Sequence, residues 1–324
     1  MQAMARVLIG AACVTAFSQS AVAAWPDDKP IEIVVGFAAG GGTDVMARKL
    51  GAAMEKHFSG KARFVVMNRP GAAGEIANAA IMRAAPDGYT IGVVNVPGYV
   101  FLPMTKQTQY RLDGIRLLAR VVDDPTVTVV RADSKLGDLQ SIIATLRSAP
   151  STITFGHNGV GTNGHLALRM MSDIAKVKGI EVPYKGTADQ KTNLLGGHLQ
   201  VGLISLGEVA ELHGSNKGDL KVIALLSKSP SPVLPSVPTA EGAGVPIFMS
   251  SERGFAAPKG LADDIAGKLE AALSASVRDP EFIKSSPGDA PVLAFLPGAQ
   301  WQAHLDGVAK ALKPIADALA KEPK

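Results

Sequence analysis

Two glycine-rich loops carry the clearest chemical signal in this chain of 324 residues. The first reads Gly36-Phe37-Ala38-Ala39-Gly40-Gly41-Gly42-Thr43-Asp44. Three consecutive glycines permit positive φ and close backbone approach, and Thr43 or Asp44 can cap a helix that follows. The N–H groups at such a helix start attract an anion without any basic side chain. The second loop reads Phe155-Gly156-His157-Asn158-Gly159-Val160-Gly161-Thr162-Asn163-Gly164-His165. Its Gly159, Gly161 and Gly164 match the dinucleotide fingerprint G-x-G-x-x-G, and Glu181 falls near where a ribose-binding acid is sought. Glu181 opens its strand, however, whereas the fingerprint places the acid at the carboxyl end, here Pro183-Tyr184-Lys185. The loop therefore reads as a second helix start suited to an anion. The rival reading is an exported α/β enzyme that holds a phosphorylated or dinucleotide ligand on these loops.

Other chemistry is sparse. His57, His157, His165, His198, His213 and His304 show no metal-type pairing. There is no G-x-S-x-G elbow and no P-loop lysine motif. Asp123-Asp124 and Asp263-Asp264 read as turn and helix-cap residues. No catalytic residue, metal or cofactor is expected. Residues 1–23 read as a cleavable export signal: Arg6, an apolar run over 7–17, and Ala21-Val22-Ala23 as the small-x-small site. That run is shorter than the ~20 residues of a membrane-spanning helix. Cleavage removes Cys13, the only cysteine, and with it any disulfide or thiol chemistry. The basic residues are scattered without a basic run, which gives no footprint for nucleic acid.

The elements that must position these loops follow from periodicity. Residues 31–37 form a near-continuous apolar run, as in a strand buried on both faces. Apolar spacing predicts a helix over 43–57, a strand over 62–67, a helix over 75–84 and a strand over 89–96. This β-α-β-α-β order builds a doubly wound parallel sheet. After Asp123-Asp124-Pro125 a second block begins, with strands expected over 126–130, 152–155, 181–184, 199–204 and 221–226. Helices over 136–148, 164–178 and 188–195 separate them, and an extended crossover over 230–246 leads back to a strand over 253–256. Helices over 262–277 and 299–320 close the chain. The expected architecture is α/β with two lobes, each a doubly wound sheet flanked by helices. Residues 24–124 and 250–324 form lobe 1, and 125–249 form lobe 2. Ligands of such sheets bind outside the carboxyl ends of the strands, here in the cleft between lobes.

The sequence also resembles a known family, the substrate-binding receptors of tripartite tricarboxylate transporters, or Bug family of periplasmic proteins. The resemblance rests on Trp25-Pro26 through Ile31, residues 40–44, Asn68-Arg69-Pro70-Gly71-Ala72-Ala73-Gly74 and Ala85-Pro86-Asp87-Gly88-Tyr89-Thr90. It continues through residues 159–165, Val182-Pro183-Tyr184-Lys185-Gly186, Leu195-Gly196-Gly197 and residues 236–241. The resemblance implies a type II periplasmic-binding-protein fold with a Venus-flytrap cleft, and a small organic carboxylate held largely by backbone groups. It implies contacts from Phe37, Ala38, Ala39, Thr43 and Asp44 on one wall. His157, Gly161, Thr162, Asn163 and His165 would line the other, with Tyr184 alongside. Asn95, after the third strand, is added as a side-chain contact. The implied partners are that carboxylate and the membrane subunits of the transporter, with the chain acting as a monomer in the periplasm. Four places depart from the family pattern: Gly36, Gln200, Ile204-Ser205 and Glu252-Arg253. Arg253 could pair with a second ligand carboxylate or lie on the surface.

Overall fold

The computed structural model describes residues 25–214 and 219–321, so the expected signal segment 1–23, with Cys13, lies outside the described residues. Ten strands and nine α-helices occur in the order β1 (Ile31–Val35), α1 (Gly42–Glu55), β2 (Phe64–Asn68), α2 (Glu75–Arg83), β3 (Thr90–Val96), α3 (Gly98–Thr105) and β4 (Ile115–Arg131) among the described residues. Next come α4 (Leu139–Ser148), β5 (Thr154–His157), α5 (Asn163–Ala175), β6 (Ile180–Pro183), α6 (Thr187–Leu195), β7 (Val201–Ser205) and β8 (Leu220–Leu225). The chain ends with β9 (Ser250–Pro258), α7 (Asp263–Ser276), α8 (Pro280–Ser285), β10 (Leu293–Pro297) and α9 (Gly298–Leu319).

The strands make two lobes that share β4. In the first lobe the order is β2-β1-β3-β9-β4-β10, with β1, β2 and β3 parallel and β9 antiparallel to both of its neighbours. In the second it is β8-β4-β7-β5-β6, with β5, β6 and β7 parallel. Each lobe thus has a parallel core edged by antiparallel strands. Ile31, Ile33, Met46, Leu50, Ile91 and Phe255 are fully buried in the first core, and Ile142, Phe155 and Val201 in the second. Burial of each such side chain contributes about 1.5–3 kcal/mol, so each sheet has its own source of stability. No helix among the described residues is long and apolar enough to cross a membrane.

Besides α8 and β10, which the periodicity reading lacks, two features differ from it. Residues 98–122 hold α3 and the first part of β4, where Tyr99, Val100, Phe101 and Leu102 are all buried in succession. A segment covered on every side shows neither the helical nor the strand period, so its type is not legible. Asp123-Asp124-Pro125 is not a turn but the middle of β4. There the pairing passes from β9, ending at Pro125 opposite Ser250, to β7, starting at Thr126 opposite Ser205. Asp124 is wholly buried rather than a solvated turn residue. Asp263 and Asp264 do sit in the first turn of a helix, α7.

Candidate functional site

Four helix starts converge on one cavity between the lobes. Its wall includes Gly42 and Thr43 of α1, Pro97 and Gly98 at the start of α3, Thr162 and Asn163 at the start of α5, and Thr187 of α6. The space left open between these walls is about 30 Å³, room for a water or two, so the lobes meet closely around the seat. The first N–H groups of each helix lack an intrahelical partner, and each start carries about half a positive charge from aligned peptide dipoles. The geometry follows from topology. Each of these helices begins just past the carboxyl end of a parallel strand, β1, β3, β5 or β6, and the two lobes present those ends to each other.

The polar side chains of the cavity are mostly engaged. Arg253, on β9, is 2% exposed and pairs with Asp124 through Nη2 and with Asp289 at 3.9 Å through Nη1. Burial pushes the Asp124 carboxyl up, against the pull of Arg253, and burial lifts Asp289 as well. Asp124 Oδ1 also accepts from Gly207 N–H at 3.0 Å. Strand alternation sends the preceding Glu252 to the opposite face. There it accepts from Trp301 Nε1 at 2.8 Å and Arg120 Nη1 at 3.2 Å, and meets His304 Nε2 at 2.7 Å. Asn95 Nδ2 donates to Thr43 Oγ1 at 2.9 Å. Glu208 reaches across from the second lobe: its Oε1 accepts from Gly42 N–H at 2.6 Å and its Oε2 from Thr187 Oγ1 at 2.9 Å. Asn95 Oδ1 and Arg253 Nε are buried without a hydrogen-bond partner among the described residues.

The residues named from sequence fall into three groups. Phe37, Thr43, Asn95, Thr162 and Asn163 line the cavity together. Ala38, Ala39, Gly161 and Tyr184 lie outside that lining. Ala38 N–H donates to Lys185 O of the facing lobe at 3.3 Å, Ala39 is exposed, and Tyr184 borders an outer groove with Phe37 and Ala73. Asp44, His157 and His165 also lie outside it, each holding a loop in shape. Asp44 accepts from Gly40 N–H at 2.9 Å, Asn68 Nδ2 at 2.9 Å and Arg48 Nε at 3.1 Å. Burial pushes its carboxyl up, but these hydrogen bonds outweigh it and hold the pKa below the ordinary value. His157 Nδ1 accepts from Gly159 N–H at 3.1 Å, and His165 Nδ1 from Gly161 N–H at 3.2 Å.

The G-x-G-x-x-G match has a structural account. Gly161 has φ +88°, and a Cβ there would lie 3.1 Å from Phe101 and Leu102 of α3. Gly164 packs so closely on β7 that a Cβ would be 2.5 Å from Leu203 O. The loop where a pyrophosphate would need room instead abuts the facing lobe. Glu181 lies 3.6 Å from His165 Nε2 and 3.5 Å from Arg169 Nη1.

Of the four departures, Ser205 and Arg253 line the cavity. Gln200 accepts from Thr154 N–H at 2.9 Å at the far end of β7, Ile204 is core, and Gly36 packs on Gly74. Sequence reasoning missed Asn158, Thr187, Glu208 and Ser251. Asn158 and Thr187 sit beside glycines at helix starts, a signal of the same kind as the one used. Glu208 and Ser251 carry no sequence signal, because only the meeting of the lobes brings them to the cavity.

This two-lobed arrangement is the fold of periplasmic binding proteins. The structure described as periplasmic binding protein BugD superposes with a TM-score of 0.80 at 27% identity, over 91% of this chain and 97% of that one. The chain belongs to the family described as the tripartite tricarboxylate transporter family receptor, whose sequence model matches residues 46–305. Protein BugT of Bordetella pertussis is 32% identical over 273 residues, 82% of this chain and 82% of its own length. The UPF0065 protein in the gbd 5'region of Cupriavidus necator is 32% identical over 264 residues, 79% of this chain and 77% of its own length.

Proposed function

We propose that this protein is a periplasmic receptor that captures a small organic carboxylate in the interlobe cavity. It would deliver that ligand to a tripartite tricarboxylate-type transporter or report its presence. One observation carries the reading: the starts of α1, α3, α5 and α6 face a single cavity. A helix start stabilises an anion by about 0.3–1 kcal/mol when exposed and up to about 2 kcal/mol when partly buried. With Glu208 on the Gly42 N–H and the Thr187 hydroxyl, the α3 and α5 starts are the ones left to hold a ligand carboxylate, as the glycine-rich loops lead one to expect.

The contacts assigned to ligand are Phe37, Thr43, Asn95, Thr162 and Asn163, joined by Asn158, Thr187, Ser205 and Arg253. Asp44, His157 and His165 are assigned to bracing the loops that carry them. The lobes are assigned as 24–124 with 250–324, and 125–249, the chain passing between them at 124–126 and 249–251. Residues 1–23 are assigned as the export signal, and the mature chain as a monomeric binding protein rather than an enzyme.

The test is a thermal-shift and calorimetric screen of the mature chain against small mono-, di- and tricarboxylates, aromatic acids and nicotinamide cofactors. A ligand that binds only the folded state adds about 2.7 kcal/mol at 100 times its Kd. Stabilisation by a carboxylate without turnover is expected. A response to a dinucleotide alone would overturn the reading in favour of the enzyme.

A further inference from the structure

The anion seat at the start of α1 is filled by the chain's own carboxylate. Glu208 takes the Gly42 N–H with one oxygen and the Thr187 hydroxyl with the other, so it bridges the first turns of α1 and α6. These are the groups that a ligand carboxylate would otherwise take. Among the described residues the cation in the cavity wall is Arg253, which faces Asp124, Asp289 and Glu208 and leaves its Nε without a partner. Glu208 is thus the third carboxylate around one guanidinium, so the wall carries more acid than base. A second acceptor, Asn95 Oδ1, is buried in the same wall with no partner among the described residues. A buried acceptor left unmet is costly, and a ligand donor relieves that cost. One part of the cavity is thus rich in acceptors, while the starts of α3 and α5, at Gly98, Thr162 and Asn163, remain for an anion.

We propose that Glu208 determines ligand specificity: the protein takes a carboxylate that carries a hydroxyl or ammonium group away from its carboxyl, and discriminates against the matching dicarboxylate. The inference rests on the reading that the cavity binds a carboxylate. The ligand's carboxyl meets the α3 and α5 starts, and its donor group meets Glu208 and Asn95 Oδ1. A second ligand carboxylate would face Glu208 across a low-dielectric space, where like charges repel strongly.

The test is calorimetry on the wild type and Glu208→Gln with straight-chain acids of propionate to hexanoate length. Each length is supplied as the ω-hydroxy acid, the ω-amino acid and the α,ω-dicarboxylate. Glutamine keeps the shape and an acceptor oxygen and removes the charge, and thermal melts verify that the variant is folded. The wild type should bind a hydroxy or amino acid at least about tenfold more tightly than the dicarboxylate of equal length, about 1.4 kcal/mol. Glu208→Gln should gain about tenfold for the dicarboxylate and lose about tenfold for the amino acid. Carboxylate binding with an unchanged preference in the variant would overturn the role of Glu208 and leave the receptor reading standing. Absence of binding by every carboxylate, including those of the wider screen, would overturn both.

Discussion

Arg253 stands 2% exposed beside the Asp124 and Asp289 carboxylates, on a strand whose neighbouring residue points the other way. Its position was legible as a departure from the family pattern, but its burial was not, since nothing local distinguishes a buried arginine from an exposed one. Removing one member of a buried ion pair leaves an uncompensated charge. Arg253→Met should therefore lower unfolding free energy by about 3–5 kcal/mol, read from urea denaturation. Adding Asp124→Asn should recover part of that loss, because the amide oxygen can still accept from Gly207 N–H while the stranded charge is gone. Equal midpoints for the single variant and the wild type would show that the pair contributes little. Asp124 illustrates the converse failure of local reading. Its Asp-Asp-Pro context reads as a turn, yet it lies inside a strand because the partner strands on either side supply the pairing.

At the scale of the element, the loop into α5 is held by two imidazoles used as acceptors. His157 and His165 each take a backbone N–H on Nδ1, which places the ring proton on Nε2. Burial pushes His165 down to about 3, with His157 and Arg169 adding to the effect. Burial lowers His157 too, against the pull of Glu181. The folded state therefore binds fewer protons than the unfolded chain below the ordinary histidine pKa of 6.5. Stability from this pair is full above that pH and is lost as pH falls towards about 3. Asp124, lifted by burial to about 7, has the opposite sign, so wild type and variant must be compared. His165→Asn, which can keep an acceptor near Nδ1 but does not titrate, should show a shallower fall in Tm between neutral pH and pH ~4.5. Identical slopes would remove His165 from the account. The glycines of this loop were readable from sequence, but the histidines' role was not: a histidine at a helix start serves a ligand or a backbone equally well.

At the scale of the molecule, the lobes are connected through β4 and the chain return at residues 249–251, with cross-lobe hydrogen bonds at Ala38–Lys185 and Gly42–Glu208. A ligand that bridges the lobes favours the closed state only by its differential affinity for that state. Small-angle scattering should show a smaller radius of gyration when a bound carboxylate is added to the mature chain. No change on saturation would mean that the free protein is already closed, with Glu208 in the role of the ligand.

The sequence by itself determined the elements whose two faces differ, the two α/β blocks, and the glycine loops at helix starts, because hydrophobic period and glycine conformation are local properties. Four cavity residues, Phe37, Thr43, Thr162 and Asn163, were reached through the family resemblance of those loops, and Asn95, near the end of β3, as an added contact. Only the tertiary structure decided that β4 runs unbroken through both lobes, that four helix starts share one cavity, and that Glu208 fills the seat at the start of α1. Those outcomes depend on residues 166 positions apart meeting in space, as Gly42 and Glu208 do. Such a meeting is set by how two packed lobes approach each other, and neither partner's own neighbours in the chain carry a trace of it.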